Sequence, residues 1–428
     1  MFPADHPFHI PAFRAYWLSR LTSTIALSAM AIIIGWQVYG IARDDMHLTI
    51  REATFALGMI GAAQFVPLFL LTPVVGLVAD TFDRRWIVRA TTALMAATTA
   101  TLGILTALHA LSLPALYLAA VAIGVGRAFA GPAYSALAPN LVPRESLPTA
   151  IAVSSIAWQV GAIAGPSLGG LLYAIHPDVA YGTSTGLLLL ALAMIFLIPK
   201  VPQPAVQADH RPLQRVIDGF RYVRNNRLVL ATITLDLFAV LLAGATALLP
   251  VFARDILHVG AQGLGLLAAG MGIGATTTAL FFSFRPMKTN VGVKMLWAVM
   301  VFGAAILTFG VSQHFWLSLA ALVVAGGADM VSVYVRSSLI QLHTPDAMRG
   351  RVSAVSQLTI SASNELGEAE SGLLGSLLGP VGAVVFGGVG AIVITLLWSR
   401  LFPELRLAKS FDPPEILETT PEHGVVQP

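Results

Sequence analysis

The chain has 428 residues, of which 56% are apolar and only 11% charged, with a formal net charge of +3. A soluble globule carries about 25% charged residues, so this chain lacks the polar surface to coat itself in water. It holds no cysteine, which excludes disulfides, thiolate catalysis and Cys-ligated metals together.

Continuous apolar stretches cover approximately 17–41, 53–79, 87–109, 113–137, 148–174, 179–199, 228–253, 261–284, 291–312, 315–340, 352–378 and 381–401. A transmembrane barrel needs alternating segments of about 10 residues, whereas these runs are long and unbroken. Twelve helices of roughly 20 residues use some 240 residues, close to the whole apolar content. The predicted fold class is therefore an all-α membrane protein with twelve transmembrane helices. The first stretch exceeds a signal-peptide core and no small-residue cleavage site follows it, so it is expected to remain as a helix.

Lys and Arg set the orientation, because retained positive charge marks the cytoplasmic side. With the N-terminus inside, 19 of the 25 basic residues fall in inside segments, and only Arg43, Arg51 and Arg254 fall outside. Both termini are thus expected in the cytoplasm of a multi-pass inner (cytoplasmic) membrane protein. The basic balance then needs no nucleic-acid partner; the lipid bilayer is the partner it predicts.

Shifting the chain by 202 residues lays 135–155 onto 337–357. Leu137 meets Leu339, Pro143 meets Pro345, Ala152 to Ser154 meet Ala354 to Ser356, and Gly165 meets Gly367. Matches at one offset across a polar loop indicate two six-helix halves in parallel repeat, with a substrate site between them. The expected organisation is a first half over 1–199, a cytoplasmic linker over 200–226, a second half over 227–405 and a disordered cytoplasmic tail over 406–428. Within the linker, Val216, Phe220 and Val223 form one stripe of a helix expected to lie on the anionic leaflet.

At the inner end of span 2, "GLVADTFDRR" (76–85) resembles the loop signature GxxxD(R/K)xG(R/K)(R/K) of the major facilitator superfamily. Gly76, Asp80, Arg84 and Arg85 fit, while Thr81 and Asp83 depart from it. Span 5 carries "GAIAGPSLGG" (161–170), with Gly161, Gly165, Pro166, Gly169 and Gly170 matching all fixed positions of GxxxGPxxGG. Small residues four apart let helices touch backbone to backbone, and Pro166 removes a hydrogen bond. This pattern resembles the antiporter signature of superfamily exporters. In span 4, Arg127 and Gly131 resemble RxxQG of proton-coupled members, with Ala130 in the Gln position. The chain is most similar to the enterobactin-exporter and drug-efflux group over residues 8–405. That resemblance implies the major facilitator fold, a latch role for the first motif, and a cavity lined by spans 1, 4, 7 and 10.

An ionisable residue at bilayer depth costs on the order of 2.5 to 3.5 kcal/mol, so each requires a reason. Arg20, Arg127, Asp236 and Asp329 fall in those four spans, as candidate cavity-lining residues. Arg127 and Asp329 occupy equivalent positions of the repeat. Arg20, and Arg336 near the inner end of span 10, are expected to snorkel to the interface. In span 11, Glu365 and Glu368 share a helix face, and Glu370 is expected to point elsewhere, toward the outer interface. Asp236, Asp329 and Glu365 are the candidate carriers of a coupling proton, with Arg127 as their modulator. A fixed structural ion pair is the rival reading.

There is no GxxxxGK(S/T) loop and no HExxH, so neither an ATP-driven pump nor an embedded enzyme is expected. No cofactor and no metal is called for. The expected function is proton-coupled export of an amphipathic small molecule, siderophore-like or drug-like, by a monomer. The alternative is a facilitator-type importer of a small nutrient, with a membrane-embedded enzyme further behind.

Overall fold

The computed structural model describes residues 6–200 and 212–411; most of the linker's Pro-rich stretch and most of the expected tail lie outside them. The first half comprises α1 (Pro11–Gly40), α2 (Ile50–Thr81), α3 (Arg84–Ala107), α4 (Leu113–Leu137), α5 (Leu147–Ile175) and α6 (Pro177–Phe196). A linker helix, α7 (Pro212–Asn225), precedes α8 (Arg227–Leu242) and a one-turn α9 (Leu249–Val251). The remainder is α10 (Gly260–Phe284), α11 (Val291–Val311), α12 (Phe315–Leu342), α13 (Asp346–Leu378), α14 (Pro380–Leu401) and a short α15 (Pro403–Leu407). No strand occurs among the described residues.

Eleven of the described spans are long and apolar enough to cross a membrane. The twelfth is α13, which carries Glu365, Glu368 and Glu370 at membrane depth. Local sequence starts these helices. Thr49 and Glu52 form a capping box on α2, with the Thr49 amide donating to Glu52 Oε2 at 2.8 Å. Asp83 accepts from the Arg85 amide at 3.0 Å and so caps α3. Asn226 accepts from the Val229 amide at 3.1 Å and caps α8. The lipid-facing surface is apolar: Leu118, Phe284 and Trp316 are exposed on it.

The two halves repeat one packing scheme. In the first, α1 packs on α5 and α6, α4 on α2 and α3, and α3 on α6. In the second, α8 packs on α13 and α14, α12 on α10 and α11, and α11 on α14. Separate buried cores result, one around Tyr39, Leu116 and Tyr181, the other around Phe252, Met295, Phe309 and Leu322. Between the halves, α2 packs on α13 and α5 on α10. These are the twelve helices and two six-helix repeats expected.

Two expectations are corrected here. The seventh span is not one helix: α8 ends at Leu242, and a short turn over Ala243 and Gly244 leads into 3-10 and π-helical turns as far as Ile256. The break is where a side chain does not fit, since a Cβ on Gly244 would stand 2.8 Å from Ser371 Oγ. The linker helix does not simply lie on the leaflet. Val223 is buried with Val229, Ile340, Val352 and Val355, so α7 is pinned to the base of the second half, while Phe220 stays exposed. The side chain of Val216 lies outside the described ones.

Candidate transport site

The seam between the halves brings one predicted pair together. Arg127 on α4 and Glu365 on α13 form an ion pair of 2.7 Å. The Glu365 side chain is 4% exposed and that of Arg127 is 47% exposed, so the acid is buried while the guanidinium side of the pair is accessible. The same guanidinium nitrogen donates to Gln64 Oε1 of α2 at 2.8 Å. Thus α2 supplies the amide that Ala130 does not. Glu365 Oε2 is buried and makes no hydrogen bond. Gly61 makes this approach possible: a Cβ there would stand 2.6 Å from the Glu368 Cβ and 2.7 Å from the Glu365 carbonyl. Two carboxylates one helical turn apart therefore face α2 with a single guanidinium beside them.

The other predicted acids lie elsewhere. Asp236 on α8 pairs with Arg336 on α12, both buried within the second half. Arg336 is 4% exposed and does not snorkel, because its charge is met by Asp236 and not by interfacial water. Asp236, Asp329 and Ser332 share the lining of a cavity of about 10 Å³, walled by Val299 and Phe302. Asp329 is half-buried there. Arg20 is also not a free interfacial charge, since it donates to the Tyr16 hydroxyl at 2.8 Å, and Tyr16 in turn donates to the Tyr134 carbonyl. Glu370 does not reach the outer interface with both oxygens: its Oε2 is buried.

The motif residues divide similarly. A Cβ on Gly161 would meet Thr24 Cβ at 2.7 Å, and one on Gly169 would meet Ala29 Cα at 2.8 Å, so this face of α5 lies against α1. Gly170 faces α10 across the seam, where a Cβ would stand 2.8 Å from Gly265 Cα. Gly165 packs on Ser28 and Ala29, and the Pro166 carbonyl faces Gly265. Arg84 donates to the Ala136 carbonyl at 3.0 Å, and Arg85 pairs with Asp83 at 2.6 Å while donating to the Ile198 carbonyl. Hydrogen bonding from Arg85 holds the Asp83 carboxyl below its ordinary range. Asp83 thus gives the first motif a cap and a local ion pair where the signature has glycine. The surroundings of Gly76 and the side chain of Asp80 lie outside the described ones.

A third group escaped the sequence reading. At the end away from both termini, Arg254 Nη2 meets Asp44 Oδ1 at 2.6 Å and Arg43 Nε meets Asp255 Oδ2 at 3.8 Å. Tyr39 also donates to Asp255. The charges sit on two π-helical turns, Ile41–Asp45 and Phe252–Ile256, one from each half. The signal was present as Ala-Arg-Asp at both 42–44 and 253–255, with an offset of 211 rather than 202. This reciprocal clasp and the packing of Gly58 on Gly372 close that end of the seam. Exposed ion pairs contribute about 0 to 1 kcal/mol each, so the two together are expected to shift an opening equilibrium by up to about 2 kcal/mol, or as much as about thirty-fold. Spin labels at Leu48 and Val259 in an Asp44→Asn/Asp255→Asn variant should show the separated population rising within that bound. An unchanged distance distribution would remove the clasp from the gate.

Residues 4–419 match the family described as transmembrane secretion effector. The chain belongs to this family of the major facilitator superfamily. It is similar to the enterobactin exporter EntS of Citrobacter koseri, at 28% identity over 418 residues covering 96% of each chain. It is also similar to EntS of Escherichia coli O1:K1 / APEC, at 28% over 413 residues and 95% of each chain. Among solved structures, a bacterial homologue of the human lysosomal transporter Spinster, inward-facing and occupied, aligns with a TM-score of 0.71 at 15% identity, covering 92% of this chain and 97% of that one. A D-xylose–proton symporter aligns with a TM-score of 0.70 at 14% identity, covering 91% and 98%. At these identities the structural likeness establishes the fold. The chain is a multi-pass membrane transporter and not an enzyme.

Proposed function

We propose that this transporter exports an amphipathic small molecule, siderophore-like or drug-like, in exchange for protons, with both termini in the cytoplasm. The observation that carries the reading is the Arg127–Glu365 pair, made by one residue from each half. A pair within one half survives rigid rocking of the halves; a pair across them does not. When Arg127 withdraws, Glu365 and Glu368 remain as two acids with no cation, and a proton is the cheapest compensation for a charge buried at membrane depth. When the halves close again, the guanidinium takes the proton's place and the proton leaves. Proton uptake from one side and release to the other therefore follow the same motion that moves substrate.

The orientation rests on the basic-residue asymmetry and places the Ala-Arg-Asp clasp on the outside. On this reading the clasped end faces outward, and substrate loads from the cytoplasmic end of the seam. The resemblance to enterobactin exporters and the GPxxGG helix support efflux as the direction. The linker over 200–226 joins the two halves as one monomeric rocker. Purified protein in vesicles with an imposed pH gradient should expel a siderophore or a cationic dye against its gradient, and a protonophore should stop it. Efflux that persists unchanged with the gradient collapsed would refute coupling. Gradient-driven accumulation of a nutrient instead would establish the importer.

A further inference from the structure

A second cavity lies on the outer side of the second half. Helices α10, α11 and α12 frame a trough of about 520 Å³. Gly274 and Gly327 are part of its lining, small enough to let it sink between the helices, and Val301 and Val324, 42% and 50% exposed, line it as well. Helix α11 packs on α12, α14 and α15, so the trough belongs to the outer surface of the second half.

The trough has a charged end. Lys294 lines it on the first turn of α11, one turn from Trp297, an exposed aromatic suited to the headgroup level. Arg285 and Lys288 stand exposed on the loop that joins α10 to α11. Residues 260–311 contain no Asp or Glu, and Asp329, the one acid of α12, lines the small cavity with Asp236 and not this trough, so no acid in its lining offsets the three cations. From Lys294 to Val301 the helix rises about 10 Å, most of the depth of one leaflet's chains. A cationic head above an apolar slot of that depth has the shape and charge of an amphiphile's complement.

We propose that this trough seats one acyl chain of an anionic phospholipid, with its phosphate at Lys294. A neutral lipid fits the slot but leaves the cations unmet, and a basic site at the cytoplasmic edge between helices is the kind that holds anionic headgroups. A second copy of this chain would need an apolar ridge to fill a concave slot and an acid to meet Lys294. That Lys294 lies in the cytoplasmic leaflet rests on the orientation proposed above; lipid binding by the purified protein does not.

The test is native mass spectrometry of the full-length protein, titrated with phosphatidylglycerol and with phosphatidylcholine of the same chains. Phosphatidylglycerol should bind at least about fivefold more tightly, the worth of one lysine at an anionic surface. Lys294→Gln should erase that preference while leaving chain binding. Val301→Trp, which fills the slot from a lipid-facing position, should weaken both lipids. Both replacements are at exposed positions, and equal thermal unfolding of the variants controls for folding. Equal affinity for the two lipids in the wild type would overturn the proposal. So would variants that bind like the wild type, or a dimer that excludes lipid. Labelling of a single cysteine placed at Lys288 in intact cells reports the leaflet independently, so a failed orientation is told apart from a failed site.

Discussion

Glu365→Gln should end proton-driven efflux while leaving exchange of substrate down its own gradient intact. The glutamine keeps the side-chain volume and still accepts from Arg127, so the 2.7 Å contact across the seam has a neutral counterpart. It cannot carry a proton through the cycle. Counterflow in vesicles should therefore proceed near the wild-type rate, while a pH gradient no longer concentrates substrate. Arg127→Gln should give the same uncoupled behaviour from the other side. With the guanidinium gone, nothing displaces the proton from the buried acids. Glu365→Asp is expected to restore part of the coupling, because it retains the titratable group one methylene short. Asp329→Asn, on the half-buried acid at the 10 Å³ cavity, completes the comparison. If Asp236→Asn, Asp329→Asn and Glu365→Gln all retain full proton-coupled efflux, the carrier is none of them.

The second large effect is on stability. Asp236 and Arg336 lie on neighbouring helices of one half, both buried, and rocking of the halves leaves their contact unchanged. Asp236→Asn strands a guanidinium at membrane depth, a loss expected to cost about 3 to 5 kcal/mol. Replacing both partners by apolar residues, Asp236→Leu with Arg336→Met, removes both charges and should recover most of that loss, giving a coupling energy well above 1 kcal/mol in the double-mutant cycle. Denaturant or thermal unfolding followed by tryptophan fluorescence measures it. The apolar pair should also keep proton-coupled efflux, in contrast to Glu365→Gln. A single Asp236→Asn variant as stable as the wild type would show that Arg336 finds other compensation, and a dead apolar pair would return Asp236 to the transport mechanism.

The amino-acid sequence by itself determined the solvent, the helix number and the internal duplication. Each depends on a property that accumulates along the chain: 56% apolar residues against 11% charged, twelve unbroken runs, and matches at one 202-residue offset. It also singled out the acids and arginines at depth, because a charge in hydrocarbon is conspicuous whatever surrounds it. Partner choice was beyond its reach. Arg127 and Asp329 are equivalent in the repeat, yet Arg127 pairs with Glu365, 238 positions along the chain from it, and with Gln64, which carries no charge to draw attention. Arg336 reads as an interfacial residue from its place near the end of a span and proves to be buried on Asp236. The broken seventh span depends on Gly244 meeting α13, a contact that no local pattern encodes. The clasp needs two outer loops to face each other, and its Ala-Arg-Asp repeats look like ordinary loop charge until they do. An ion pair is decided by distances of a few ångströms between helices, which only packing of the two halves establishes.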